Sequence, residues 1–300
     1  MYPLTYIEPV FRPPSEWKSL ILQVTNGCSW NKCTFCDMYT DENKKFKPKK
    51  VDLIEQEIIL IAQSGIPTGR VFLADGDAMM LPFPRLKEIL LLIKVHLPQV
   101  TRVSSYCLPR NLKNKTVEQL RELKQLGLKL MYIGCESGDD QVLALIEKGE
   151  TYESSLIALT KIKQAGIKSS VMILNGLGGP ELSKQHALNS ARLMNTAQPE
   201  FLSTLVVSFP LGEQRFADKF NQAGLLPYRQ LNQGELFNEM DILLSALDLH
   251  KTIFRSDHAS NYLVLKGILG QDKARLLEQV RFALQQPNEA GLRQEWQRGL

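Results

Sequence analysis

From Ser19 onward, short apolar runs alternate with longer segments in which apolar residues recur every three or four positions. The short runs end in Gly, Asp, Ser or Asn and predict strands, and the longer segments predict amphipathic helices. The predicted strands are Leu20–Val24, Arg70–Ala74, Arg102–Tyr106, Lys129–Cys135, Ser169–Asn175 and Phe201–Ser208. The predicted helices are Val51–Ser64, Pro84–His96, Val117–Leu126, Tyr152–Ala165 and Leu182–Ala197.

This alternation predicts an α/β fold with a parallel sheet covered by helices, and six units favour a partial (β/α)6 barrel over a closed eight-stranded one. We expect an N-terminal arm at residues 1–15, the barrel at 16–212 and a mostly helical C-terminal region at 213–300 that packs on the barrel. Thr116 and Gln119 resemble a capping box, and Gly127 and Gly166 occupy helix C-cap positions.

Polar and glycine-rich residues follow several predicted strands, for example Asp75–Asp77, Glu136–Ser137 and Asn175–Gly178. In barrels of this class the active site lies at the carboxyl ends of the strands. Strand alternation places Ser104 and Tyr106 on one face of their strand, and it places Tyr132, Gly134 and Glu136 together on one face of theirs. We expect both sets to point into the barrel. The pattern therefore predicts a ligand site at one rim.

Composition adds few constraints. The chain has 300 residues, of which 44% are hydrophobic and 23% charged, as in ordinary globular proteins. The net charge of +4 permits an anionic ligand but gives no strong nucleic-acid signal. We find no signal-peptide pattern and no apolar run of roughly 18 residues, so we expect a cytoplasmic protein with no membrane association. The basic run Lys44–Lys50 favours a solvated loop, with docking of an acidic electron donor or a phosphate-bearing substrate as the alternative.

Three of the five cysteines, Cys28, Cys33 and Cys36, form a C-x4-C-x2-C motif. A structural zinc site usually has four ligands, and disulfides are rare in the cytoplasm. Iron–sulfur clusters usually take four thiolates, so three would leave one iron open to another ligand. The spacing favours a cluster, while a zinc site or thiols without a metal role remain open.

With these cysteines in place, further motifs resemble the radical SAM superfamily over residues 16–210. Phe35 precedes the third cysteine, as an aromatic residue does in that family. Asp75–Ala78 (DGDA) takes the place of its GGEP-type motif. Tyr132–Gly138 resembles the fourth-strand motif of the branch that contains methylthiotransferases, Elongator-type enzymes and coproporphyrinogen dehydrogenase.

The resemblance implies a [4Fe–4S] cluster held by the three cysteines, with S-adenosylmethionine (SAM) on the fourth iron. It implies reductive cleavage of SAM to a 5′-deoxyadenosyl radical, which abstracts hydrogen from an unknown small molecule or modified nucleotide. The electron donor would be a flavodoxin or ferredoxin. Variants of this enzyme class are a radical SAM methyltransferase and a tRNA-modifying enzyme. A second class is a non-catalytic protein that handles clusters or haem on the same fold, and a third is a zinc-stabilised binding protein.

The residues that the resemblance assigns to cofactor binding are Phe35, Gly76, Asp77, Ser104, Tyr106, Glu136, Ser137, Lys148 and Asn175. Asp77 would meet the amino group of SAM, and Lys148 its carboxylate. Structural alternatives are a helix cap for Glu136 and a favourable helix-end position for Lys148. Weaker catalytic candidates are Tyr106, Cys135 and His258.

The chain departs from the family pattern at three points. The first cysteine gap has four residues instead of the usual three, DGDA replaces GGEP, and Met172 stands where the porphyrin branch carries an acidic ribose ligand. We therefore expect a remodelled cluster loop and a protein other than coproporphyrinogen dehydrogenase itself.

Overall fold

The structure is a computed structural model that describes residues 3–225 and 227–299. Its strands are β1 (Leu20–Gln23), β2 (Thr25–Asn26), β3 (Lys47–Pro48), β4 (Arg70–Ala74), β5 (Arg102–Cys107), β6 (Leu128–Glu136), β7 (Lys168–Asn175), β8 (Phe201–Val206), β9 (Ile253–Ser256) and β10 (Leu265–Ile268). Its α-helices are α1 (Val51–Gln63), α2 (Phe83–His96), α3 (Val117–Gln125), α4 (Asp140–Leu145), α5 (Tyr152–Ala165), α6 (Gly179–Ala197), α7 (Gln214–Gln222), α8 (Gln233–Ala246) and α9 (Lys273–Gln285).

Eight strands form one sheet in the order β1-β4-β5-β6-β7-β8-β9-β10, and β2 pairs with β3 in a separate ribbon. The pairs β1–β4, β4–β5, β5–β6, β7–β8 and β8–β9 are parallel, whereas β10 runs antiparallel to β9. The α/β class and the parallel sheet predicted from the sequence are confirmed. The strand pairs place the carboxyl ends of neighbouring parallel strands at one edge.

The predicted elements agree with the structure to within one to three residues at each end. The capping box of α3 is present, because Thr116 Oγ1 accepts from the Gln119 backbone N–H at 3.2 Å and the Gln119 side chain accepts from the Thr116 N–H at 3.0 Å. Gly127 and Gly166 adopt positive φ angles of 114° and 72°, as C-cap glycines do.

The C-terminal region contains two strands that the sequence reading missed. Phe254 and Ser256 of β9 are buried while Arg255 between them is exposed, so the strand alternates as a sheet strand should. A four-residue strand is too short for that alternation to stand out within a polar stretch. The prediction of a mostly helical region is therefore incomplete, since β9 and β10 extend the sheet.

The basic run Lys44–Lys50 is not a solvated loop throughout, and that expectation is wrong at Lys44. The Lys44 side chain is fully buried and pairs with Asp75, while Lys47–Pro48 forms β3. A lysine is normally exposed, and only a buried counterion reverses that preference. Nothing in the local sequence distinguishes Lys44 from its neighbours.

The chain divides into two compact units. The first unit comprises Met1–Asn31, Met38–Ile133 and Thr160–Ser169, and the second comprises Lys32–Asp37, Gly134–Leu159 and Ser170–Leu300. In the first unit α1 packs against α2, and Ile54, Ile58, Leu86 and Leu90 are fully buried. This apolar stripe is the reason these segments read as amphipathic helices.

The second unit has a core of aromatic and aliphatic side chains. It includes Ile146, which follows α4, and Phe216 and Phe220 of α7. In the same unit α8 packs between α6 and α9. None of the helices found in residues 3–225 and 227–299 is long and apolar enough to cross a bilayer. All five cysteines lie in the described part, and none is joined in a disulfide.

Candidate cofactor site

In the first unit, the turn after β4 is anchored by a buried carboxylate. Lys44 Nζ lies 2.6 Å from Asp75 Oδ2, and the Tyr39 hydroxyl donates to Asp75 Oδ1 at 3.0 Å. The Thr25 hydroxyl donates to the Asp75 carbonyl at 2.6 Å. A buried ion pair with further hydrogen bonds fixes its surroundings closely. The turn that carries Gly76 and Asp77 is therefore held against β2, which leads into the cysteine loop.

Gly76 allows the closest backbone approach in this turn. Its φ angle is +69°, and a Cβ at this position would lie 2.4 Å from the Gly27 carbonyl oxygen and 3.1 Å from the Cys28 nitrogen. Only glycine accommodates both conditions. Gly76 was predicted to let backbone approach a cofactor, and the structure shows that the base of the cysteine loop approaches it.

Asp77 is fully buried at the end of this turn. The Ser29 hydroxyl donates to its Oδ2, and its Oδ1 has no hydrogen-bond partner among the residues described. Burial raises the pKa of the Asp77 carboxyl, and the hydrogen bonds from Ser29 and from the Asn111 side chain, together with the Arg110 charge, oppose that shift in part. The four-residue gap between Cys28 and Cys33 thus contributes a contact to Asp77, and its Trp30 ring stacks 3.7 Å from the Arg110 guanidinium carbon.

Ser104 and Tyr106 are two residues apart on β5, so their side chains lie on the same face of the strand. The Ser104 hydroxyl is buried and lies 3.4 Å from the Val71 carbonyl oxygen. The Tyr106 ring packs edge-on against Phe72 at 5.1 Å and lies 6.2 Å from the Tyr132 ring, and burial raises the pKa of its phenol. The structure gives both side chains packing roles, and their cofactor contacts remain predictions.

In the second unit, the later half of the cysteine loop is tied to the protein through its backbone. The Thr34 N–H donates to the Ile146 carbonyl at 3.0 Å, and Phe35 packs on the aromatic core. The Arg215 guanidinium donates to the carbonyls of Cys33 at 2.7 Å, Cys36 at 3.2 Å and Thr34 at 3.3 Å. Backbone contacts of this kind position the Cys33 and Cys36 side chains without using them.

Glu136 and Lys148 form a buried ion pair in the same unit, with Nζ to Oε1 at 3.0 Å. Burial alone would lower the pKa of Lys148, but the Glu136 carboxylate and the neighbouring Cys33 and Cys36 outweigh burial and raise it. The ammonium therefore stays charged beside the cysteine loop. A Cβ at Gly134 would lie 2.0 Å from Glu136 Oε1, so glycine leaves the space that this carboxylate occupies.

The helix-cap alternative for Glu136 is wrong. The N-cap of α4 is Asp139, whose Oδ1 accepts from the Val142 N–H at 2.9 Å. Glu136 instead sits at the end of β6 with a φ of +65° and a free carboxylate oxygen, Oε2, that is buried without a hydrogen-bond partner in the described chain.

Ser137 and Asn175 differ in how fully their side chains are hydrogen-bonded within the protein. The Ser137 hydroxyl lies 2.8 Å from His186 Nδ1 and accepts from the Asp139 N–H at 3.0 Å, so it serves an internal network. Asn175 is 2% exposed, and its Oδ1 lacks a partner within residues 3–225 and 227–299. Of the two, Asn175 retains the open acceptor that a ligand could use.

Glu239 of α8 fixes the turn that follows Asn175. Its carboxylate accepts from the Gly176 N–H at 2.6 Å and from the Ser183 hydroxyl at 2.5 Å. Burial raises the pKa of Glu239, although nearby His186 and these two hydrogen bonds lower it in part. Glu239 is thus a positioning residue for the end of β7.

The surroundings of the two remaining catalytic candidates, Cys135 and His258, do not activate either side chain. Burial, together with the charge of Glu136, raises the pKa of the Cys135 thiol to about 12, so it remains protonated at neutral pH. His258 Nδ1 lies 3.0 Å from the Ser260 hydroxyl, and burial lowers the pKa of the imidazole. Both stay weak predictions.

The side chains of the described residues form no group of three or more Cys, His, Asp or Glu placed to hold a metal ion. Ligation by Cys28, Cys33 and Cys36 therefore stays a prediction. Each unit taken by itself holds buried acceptors that fit a donor of SAM, namely Asp77 Oδ1 in the first unit and Glu136 Oε2 and Asn175 Oδ1 in the second. Each acceptor costs about 1–3 kcal/mol if left unsatisfied. SAM offers an ammonium, two ribose hydroxyls and an adenine amine, and these donors suit such acceptors.

Fold and motifs together define a SAM-dependent iron–sulfur protein. The profile of the radical SAM superfamily matches residues 22–194, more than half of the chain, and the chain belongs to that superfamily. Radical SAM proteins use a [4Fe–4S] cluster and SAM, and membership of the superfamily assigns both cofactors to this chain.

The chain is 25% identical over 183 residues to heme chaperone HemW of Bacillus subtilis (strain 168). The matched region covers 58% of this chain and 47% of that protein. It is 22% identical over 217 residues to HemW of Buchnera aphidicola subsp. Schizaphis graminum (strain Sg), covering 69% and 55%. The chain thus spans about half the length of the curated relatives it matches.

Among solved structures, coproporphyrinogen III oxidase (HemN) from Escherichia coli, a radical SAM enzyme, is similar with a TM-score of 0.55. The identity is 17%, and the match covers 76% of this chain and 52% of that one. At this identity the likeness shows the fold, which is the partial TIM barrel of radical SAM proteins. The predicted fold class is therefore confirmed.

Sequence reasoning missed four residues that contact the predicted cofactor segments, namely Ser29 and Lys44 in the first unit and Arg215 and Glu239 in the second. Only Glu239 carries a local signal, because it lies three residues after Leu236 and four before Leu243, on the buried stripe of α8. A charged residue on such a stripe predicts a buried partner. The other three act through contacts with distant segments that the local sequence does not reveal.

Proposed function

We propose that this chain is a radical SAM enzyme whose [4Fe–4S] cluster is held by Cys28, Cys33 and Cys36. The proposal is carried by three of the ten buried side-chain atoms that lack a hydrogen-bond partner in the described residues, namely Asp77 Oδ1 in the first unit and Glu136 Oε2 and Asn175 Oδ1 in the second. All three were assigned to SAM from the sequence alone, and folded proteins rarely leave such atoms without a partner. Superfamily membership supplies the ligand whose donors they would meet.

In this proposal each residue binds or orients a part of SAM. The Asp77 carboxylate accepts from the ammonium, and Asn175 and Glu136 accept from hydroxyl or amine donors. Lys148 donates to the SAM carboxylate as a charge-assisted hydrogen bond. Phe35 packs on the core of the second unit and so helps to fix the position of the loop next to Cys36.

When bound, the cluster and SAM would supply one-electron reductive cleavage of the C5′–S bond of SAM, giving methionine and a 5′-deoxyadenosyl radical that would take a hydrogen atom from the substrate. The protein supplies orientation and exclusion of water, as in other cofactor enzymes. A one-electron donor is required, and a flavodoxin or ferredoxin is the expected partner. The substrate is proposed only as a class, a small molecule or a modified nucleotide.

The test is anaerobic reconstitution with iron and sulfide, followed by dithionite and SAM. We expect bound iron and release of 5′-deoxyadenosine, both lost when Cys28, Cys33 or Cys36 is changed to Ala. Cys107→Ala, which removes a buried thiol outside the motif, is the matched control and should keep both. Full iron content and turnover in any of the three motif variants would refute the assignment.

A second candidate is a haem-handling protein on the same fold. The similarity to two proteins named heme chaperone HemW favours it. Such a protein would bind haemin and cluster but release no 5′-deoxyadenosine under strong reductant. Release of S-adenosylhomocysteine together with 5′-deoxyadenosine would instead indicate the methyltransferase alternative.

A further inference from the structure

We propose that Arg215 is a positioning residue for the cluster, and that α7 fixes the spacing of the Cys33 and Cys36 thiolates through it. This inference rests on the proposed ligation of the cluster by the cysteine motif. It adds to that motif a residue 179 positions beyond Cys36, in the segment that sequence reading assigned to the C-terminal region.

The contacts of Arg215 span one turn of the loop. The Cys36 N–H donates to the Cys33 carbonyl at 3.2 Å, which closes the turn between the two cysteines. One Arg215 nitrogen lies 2.7 Å from the Cys33 carbonyl and 3.2 Å from that of Cys36, while Nε lies 3.3 Å from the Thr34 carbonyl. A planar guanidinium with several fixed donors can bridge three acceptors in this way, whereas a lysine ammonium cannot do so with the same geometry.

The helix that presents Arg215 is itself firmly anchored. Phe216 and Phe220 lie one turn apart on α7, directly after Arg215. They are 1% and 2% exposed and belong to the core of the second unit. On the loop side, Asp37 Oδ2 accepts from the Leu211 N–H at 3.3 Å, just before α7. Arg215 therefore connects a rigid helix to the cysteine turn.

Two effects on the cluster follow, and their sizes differ. Residues that orient metal ligands typically change metal affinity by about 10- to 100-fold when they are replaced. The positive charge also favours the reduced, more negative cluster and so raises its reduction potential. Because the Arg215 side chain is 49% exposed, water and salt screen this charge. Retention of the cluster should consequently be the larger effect.

The experiment compares R215M and R215K with K219M in the full chain. K219M removes one positive charge from the same helix, one turn away, without touching the cysteine carbonyls, and is the matched control. After anaerobic reconstitution, three quantities are measured, namely iron per chain, the rate at which a chelator removes iron, and the midpoint potential from an EPR-monitored titration. Thermal unfolding of the iron-free chains reports whether each variant folds.

We expect chelator to remove iron from R215M about 10- to 100-fold faster than from K219M. R215K should lose iron nearly as fast as R215M while keeping the wild-type potential, because it retains the charge but not the three-way contact. If R215M retains iron and keeps the same midpoint potential as K219M, the inference is overturned. If R215K loses iron to the chelator no faster than wild type, the geometric argument is overturned even where R215M fails to fold. A wild-type chain that binds no cluster would instead refute the proposed function.

Discussion

At the scale of single residues, buried charges mark the candidate site. Lys44 with Asp75 in the first unit and Lys148 with Glu136 in the second are ion pairs almost wholly removed from water. Burial makes such pairs costly to form, but removal of one partner leaves an unpaired buried charge and costs more. These four residues are therefore expected to tolerate substitution poorly.

Lys148→Met should lower the free energy of unfolding by about 3–5 kcal/mol, because it leaves the Glu136 carboxylate buried without its counterion. Lys219→Met breaks the exposed pair with Glu147, and such surface pairs are worth about 0–1 kcal/mol. Urea unfolding of the iron-free chains compares the two. In reconstituted protein, Lys148→Met should also weaken SAM binding more than it reduces iron content, and an unchanged SAM affinity would count against the proposed contact with the carboxylate.

Glu239 gives a pH-dependent prediction. Burial raises its pKa in the folded chain above the ordinary value of 4.5. Between these two values the folded chain holds more protons than the unfolded chain, so the free energy of unfolding falls as the pH rises through that window. Glu239→Gln keeps an acceptor for Gly176 and removes this titration. The stability of Glu239→Gln relative to wild type should therefore improve as the pH rises from about 4 to neutrality.

Urea midpoints at a series of pH values measure this difference. A difference between Glu239→Gln and wild type that stays constant with pH would show that Glu239 does not titrate in the predicted window.

At the scale of elements, the strand ends carry the site, and the positions of these ends were predictable. The bodies of β4, β5, β6 and β7 are apolar enough to be recognised, and their carboxyl ends were located to within one residue. What the ends contact was not predictable. Gly76 was expected to make room for a cofactor, yet its nearest neighbour is the backbone of Gly27 in the cysteine loop.

Gly76→Ala and Gly65→Ala separate conformational strain from close approach. Both glycines have φ angles near +65° to +69°, but a Cβ on Gly65 would meet nothing within 4 Å. Gly65→Ala should cost about 1–2 kcal/mol from the left-handed conformation alone. Gly76→Ala should cost about 1–3 kcal/mol more, because the Gly27 carbonyl must move. Urea unfolding measures both, and equal losses would contradict the packing argument.

At the scale of the whole molecule, the C-terminal residues are part of the compact unit that contains Cys33 and Cys36. The second unit takes in Lys32–Asp37 together with Ser170–Leu300, and α7 and α8 supply Arg215 and Glu239 to it. The predicted division at residues 212 and 213 stays a prediction. For function, the relevant point is that residues beyond 212 contact the cysteine loop and the end of β7.

The sequence by itself determined the α/β class, the order and approximate bounds of the strands and helices, and the superfamily. These depend on residues close together in the chain, because periodicity, capping and the cysteine motif are local patterns. Only the tertiary structure decided that Lys44 is buried, that Glu136 pairs with Lys148, and that Arg215 holds the Cys33 and Cys36 carbonyls. Such contacts join residues 12 to 182 positions apart, and a charged side chain becomes buried only where the fold brings it a partner.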